Sequence, residues 1–193
     1  MTKHSHLRSF LICCLFFSPC IIFSQTWVFD DAHSNLQFSL SHMMVTEIEG
    51  SLKIREATLA SQGEDFSGAS VRIIADMNSI DTDNEGRDEH LRSKDFFDTE
   101  KFPEMLFVSN SFSKTGDNTY KVSGDLTFHG ITKPVVLDAI ATVAVRPYDH
   151  KTIVGFKVKG EIRRTDFDIS TETPGALLGN EVSIKANAIF VKE

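Results

Sequence analysis

Val182-Ser183-Ile184-Lys185-Ala186-Asn187-Ala188-Ile189-Phe190 sets apolar residues at 182, 184, 186, 188 and 190 against polar ones between them, and only Ile189 breaks the rule. Successive side chains of a strand point to opposite faces, so this pattern describes a strand with one face buried and one wet. The same period recurs upstream. Leu36, Phe38 and Leu40 follow it, as do Ile48, Gly50, Leu52 and Ile54. So do Val71, Ile73, Ala75 and Met77, then Val122, Gly124, Leu126 and Phe128, and then Phe156, Val158, Gly160 and Ile162. With a first strand near Trp27 to Asp30, eight to ten strands are expected, separated by turn signals such as Gly116-Asp117-Asn118. Sustained alternation is the antiparallel signature, so the fold class is all-β, a sandwich or a closed barrel.

One segment departs from this rule. Arg87-Asp88-Glu89-His90-Leu91 is charged and suits a short helix, with Thr82 and Glu85 spaced as a capping box and Asp88 and Arg92 at i, i+4. Pro103 then forbids helix and returns the chain to an extended form. The segment has too few apolar positions for a core helix. It is expected to lie across the surface or over an opening, pinned by Leu91, Phe96 and Phe97.

The N-terminus reads separately. Lys3 and Arg8 precede an almost wholly apolar run from Phe10 to Phe23, and Ser24 offers a small residue before Gln25. At about 14 residues the run is short of the roughly 20 that span a bilayer, so residues 1–24 read as a secretory signal peptide and 25–193 as one domain. Export to the periplasm is the expected location, or secretion in another type of envelope. Cys13, Cys14 and Cys20 all lie in the leader, so thiolate chemistry is excluded from the mature chain. Loss of Lys3 and Arg8 moves the formal charge from −7 to −9, which argues against a nucleic-acid partner.

Several inward positions are small: Gly50, Ala75, Gly124, Ala139, Ala141, Gly160, Ala186 and Ala188. Set among large aromatics, they suggest an elongated walled space, since an eight-stranded barrel either fills itself or holds one small ligand. The competing reading is that glycines mark bends and alanines let sheets close tightly. Catalytic signals are weak. No nucleophile elbow, phosphate loop or zinc-protease helix occurs. His33, His42, His90, His129 and His150 are scattered, so no metal or cofactor is expected. Arg87, Asp88 and His90 are an acid/base candidate, with a helix start held by an Arg–carboxylate pair as the simpler reading. Ser34 reads as a turn hydroxyl.

The ordered set Ala32-His33-Ser34, His42, Gly50, Ser79-Ile80, Arg87 to Leu91, Phe96-Phe97-Asp98, Pro103, Gly124 to Thr127, Arg164 to Phe167 and Leu178 to Val182 resembles the YceI-like family of exported lipid-binding proteins. The resemblance implies an extended eight-stranded antiparallel lipocalin-like barrel with one short helix between strands, and a lumen for a polyisoprenoid or other amphiphile. Two positions depart from the family pattern: Asp168 stands where glycine is usual, and Met43-Met44 stand where a glycine tends to follow the histidine. The methionines are expected to reshape the lumen.

The leading expectation is non-catalytic binding of a long apolar or amphiphilic ligand (a polyisoprenoid, quinone or fatty-acid-like chain) for carriage or sequestration in the cell envelope. Leu36, Phe38, Leu40, Leu52, Ile73, Phe107, Leu126, Phe156 and Val158 are the expected lumen residues. Arg87 and His90 are placed to meet a polar or phosphorylated head group. The alternatives are an enzyme acting on a lipid or quinone through Asp88 and His90, and an empty barrel serving a structural or interaction role under stress. A homodimer is compatible with the sequence, and a delivery partner is left unspecified.

Overall fold

A computed structural model describes residues 25–63 and 65–193, so the leader peptide read from residues 1–24 lies outside the described residues. Strands form where the alternation lies: β1 (Gln25–His42), β2 (Thr46–Ser61), β3 (Ser70–Asp81), β4 (Glu104–Lys114), β5 (Thr119–Phe128), β6 (Ile131–Val145), β7 (Thr152–Arg163) and β8 (Glu181–Lys192). Each pairs antiparallel with its neighbour in sequence, and β8 pairs back onto β1. Of the two architectures open to an alternating pattern, the chain adopts the closed barrel, which leaves no free edge.

The count is eight because Trp27–Asp30 and Leu36–Leu40 belong to one strand. Registry between β1 and β8 slips between Asp30 and Asn35. Inside that bulge the Ser34 hydroxyl donates to the Asp30 carbonyl at 2.6 Å and accepts from the Ile189 amide at 3.0 Å. Ser34 therefore restores hydrogen bonds that the bulge removes from the ladder.

The barrel's two ends differ. At one end the connections are tight, and the loop between β2 and β3 turns Phe66 inward. Its ring meets Trp27 at 5.6 Å and Phe156 at 5.1 Å, and Phe156 in turn meets Phe112 at 5.7 Å and Phe190 at 6.2 Å. Trp27 Nε1 donates to Ser61 Oγ at 2.9 Å, so the plug has no unpaired indole donor. The opposite end carries both long connections, residues 82–103 and 164–180. The first holds the helix α1 (Glu85–Arg92) and the second begins with a 3₁₀ turn at Arg164–Phe167.

The inward glycines correct the sequence reading. A methyl group at Gly50 would lie 2.5 Å from Phe38 Cζ, and one at Gly124 would lie 2.6 Å from Phe107 Cζ. A methyl at Gly160 would collide with Leu137. These glycines make room for large side chains of neighbouring strands, so the space they open is taken up by Phe38, Phe107 and Leu137 instead of widening the lumen.

Candidate functional site

Between the plug and the long connections lies a cavity of about 320 Å³. Leu36, Phe38 and Leu40 of β1, Ile48 and Leu52 of β2, and Met77 and Ile80 of β3 form one wall. Met105, Phe128, Ile162, Val182 and Ile184 complete the barrel side. Leu91, Phe96 and Phe97 cover the mouth from the first long connection, and Ile169, Leu177 and Leu178 cover it from the second.

The expected lumen residues divide sharply. Leu36, Phe38, Leu40 and Leu52 line the cavity, with Arg87 and His90 at its mouth. Ile73, Phe107, Leu126, Phe156 and Val158 do not line it. They face inward but pack in the filled half, as part of the core or against it. Phe107 pairs with Leu126 two residues further along their strands than Met105 and Phe128, which line the cavity, so the pair packs beneath that lining. A lumen running the barrel's length is thus replaced by a pocket at one end. Alternation identifies the inward face of every strand but carries no information on depth along it. The missed signal is the position of the long connections, because the residues that line the cavity lie toward the barrel end that carries residues 82–103 and 164–180.

The helical segment is anchored by Thr82, not capped by it. Asn84 is the N-cap, its Oδ1 accepting from the Arg87 amide at 2.9 Å. Buried Asp88 uses Oδ1 to accept from Thr82 Oγ1 at 2.5 Å and from the Thr82 amide at 3.0 Å. Arg87 Nε donates to Thr82 Oγ1 at 2.7 Å, and its Nη2 to the Thr82 carbonyl at 2.6 Å. Arg87 and Asp88 therefore share Thr82 and form no ion pair with each other. His90 meets the edge of Phe96 at a centroid distance of 5.5 Å. Asp88 turns to Thr82 while His90, two residues on along the helix, turns to Phe96, so the two side chains do not face each other and no hydrogen bond joins them. From Phe96 an aromatic chain runs inward through Phe97 and Phe128 to Phe167, with centroids 5.5–5.6 Å apart.

Arg164 enters the site without a role legible in the sequence. It is 4% exposed and lines the cavity. All five of its N–H groups donate to backbone carbonyls of the loop it starts. Nε reaches Gly179 at 3.1 Å, Nη1 reaches Ile169 at 2.9 Å and also Ser170, and Nη2 reaches Thr173 at 2.8 Å and Leu178 at 3.0 Å. One side chain thus fixes the course of the second long connection. Burial pushes its pKa below the ordinary arginine value. Asp168, at the end of the 3₁₀ turn, adopts φ 58, a left-handed conformation that explains why glycine suits this position.

Met43 and Met44 also have positive φ, 53 and 59, and form the exposed tip of the β1–β2 hairpin. They do not line the cavity, so the expectation that they reshape the lumen is corrected.

A sequence model described as the YceI-like domain matches residues 27–190. The chain belongs to the YceI-like family. A Staphylococcus aureus relative, a UPF0312 protein, is 37% identical over 169 residues that cover 85% of this chain and 96% of the relative. Among solved structures, Burkholderia cenocepacia BcnA superposes with a TM-score of 0.73 at 24% identity, covering 83% of this chain and 98% of BcnA. A Saccharophagus degradans domain described as polyisoprenoid binding has a TM-score of 0.63 at 16% identity, covering 88% of this chain and 99% of that domain. At these identities the two structures establish that the YceI-like barrel is shared.

Proposed function

We propose that this YceI-like barrel binds a single amphiphile, with its apolar chain in the cavity and its polar head at the mouth, and carries or sequesters it in the cell envelope after export. One observation carries the reading: a closed barrel that packs one half with aromatic rings leaves the other half as an apolar cavity under two long connections. The polyisoprenoid-binding description of the Saccharophagus domain supports the same class of ligand.

Cavity size limits the chain. A 150 Å³ apolar cavity holds one benzene, so about 320 Å³ corresponds to about two such units, on the order of a dozen carbons. A long polyisoprenoid would place only its terminal segment inside. Electrostatics select the head. Arg87, His90, His42 and Arg164 line the cavity, and among the described residues that line it there is no aspartate or glutamate. In a chain of formal charge −7 this favours a carboxylate, phosphate or electron-rich carbonyl at the mouth.

Native mass spectrometry of gently purified protein tests the reading. An adduct of amphiphile mass is expected, and it should vanish in Leu40→Asp while circular dichroism keeps its β signature. A bare chain mass in every preparation, with no uptake of added dodecanoate, would favour the empty barrel instead.

A further inference from the structure

We propose that the tip of the β1–β2 hairpin, together with Leu177, docks this protein on the surface of a lipid bilayer so that the cavity mouth faces the membrane. The inference rests on the cavity reading for its purpose but on separate residues for its mechanism. Met43, Met44, Val45 and Leu177 are 52%, 75%, 85% and 51% exposed. Isolated exposed apolar residues are ordinary, but these four stand together and are held there. The Met43 amide donates to the Leu177 carbonyl at 2.9 Å, and the Gly179 amide donates to the Ser41 carbonyl at 2.7 Å. Arg164 fixes the loop that carries Leu177.

The backbone adds a second observation. Met43 and Met44 occupy left-handed conformations that favour glycine or asparagine, and neither is buried to compensate. The strain persists in a conformation that projects two apolar side chains into solvent, which is expected of a tip with a partner.

Charge and size identify that partner. Residues 41–46 and 173–180 contain no lysine, arginine, aspartate or glutamate, in a chain where 24% of residues are charged. A surface of this kind suits the interfacial region of a neutral bilayer rather than an anionic one. Four side chains fall far short of the roughly 20–30 residues a side in a standard protein interface, which argues against a second copy. The tip is also continuous with the cavity, since His42 and Leu177 line its mouth. A water-insoluble chain would then pass between bilayer and cavity without crossing bulk water. A single myristoyl group binds membranes with about 10⁴ M⁻¹, so weak and reversible docking at or below this strength is expected.

The test uses the chain from Gln25 onward, which contains all eight strands and the core. Flotation with phosphatidylcholine vesicles at millimolar lipid is compared between the parent and Met44→Asn/Val45→Asp. Asparagine suits the left-handed backbone, so this variant should fold, with Trp27 emission as the check. The parent is expected to float, the variant to lose at least tenfold of its bound fraction, and both to bind dodecanoate equally. Equal flotation of the two, or no flotation of a parent that binds dodecanoate, overturns the docking inference and leaves the cavity reading intact. A parent dimer that the variant converts to monomer in light scattering also overturns it, because the tip would then be a self-association surface. Flotation of a parent that takes up no dodecanoate would support docking and count against the cavity reading.

Discussion

Lengthening a saturated carboxylate from eight to sixteen carbons probes the depth of the cavity, and replacing a residue packed beneath its lining should change the answer. Each buried methylene contributes about 0.8 kcal/mol, about fourfold in Kd. Between eight and twelve carbons the affinity should therefore rise by about 200-fold. The cavity of about 320 Å³ holds on the order of a dozen carbons, so the gain should stop near that length, with further carbons left in water. Phe107 and Leu126 set the limit by packing beneath Met105 and Phe128. Phe107→Ala should cost about 3–5 kcal/mol of stability. If it folds, the void left by the ring should move the plateau outward by several carbons. Isothermal titration calorimetry across the series, on parent and variant, gives both curves. A parent affinity that climbs steadily to sixteen carbons, or a folded Phe107→Ala that keeps the parent's plateau, would refute a cavity closed off by this pair.

Three further perturbations test the framework around the cavity. Arg164→Met strips five carbonyls of their donors, and since each unsatisfied buried acceptor costs about 1–3 kcal/mol, a loss of at least about 3 kcal/mol is expected in urea unfolding. Amide exchange should rise mainly in residues 168–180, with Arg164→Lys intermediate because it offers three donors. Asp168→Gly relieves a positive φ at a side chain that makes no hydrogen bond, and should stabilise by about 0.5–1 kcal/mol in the same assay. Gly124→Ala forces a methyl into the Phe107 ring and the Val108 carbonyl, so a loss of about 1–3 kcal/mol is expected in thermal melts read at Trp27.

The sequence by itself determined the wall of this protein. Period-two alternation identified the strands and their inward faces, because a pleated strand leaves no other way to bury every second side chain. It also marked Arg87–Leu91 and Phe96–Phe97 as the exceptional segment, since a charged run without alternation favours helix over strand, and Pro103 ends any helix before the chain becomes extended again. Tertiary structure decided how far the barrel is filled. Whether Gly124 widens a lumen or admits Phe107 depends on which rotamer crosses from the neighbouring strand, and no pattern within one strand records that. The division of the expected lumen residues, with Leu36, Phe38, Leu40 and Leu52 at the cavity and Ile73, Phe107, Leu126, Phe156 and Val158 in the packed half, follows from the same cause. Arg164 makes the point in polar terms. Its five acceptors are carbonyls, which every residue type possesses, so a loop organised by one guanidinium leaves no mark on the side chains around it.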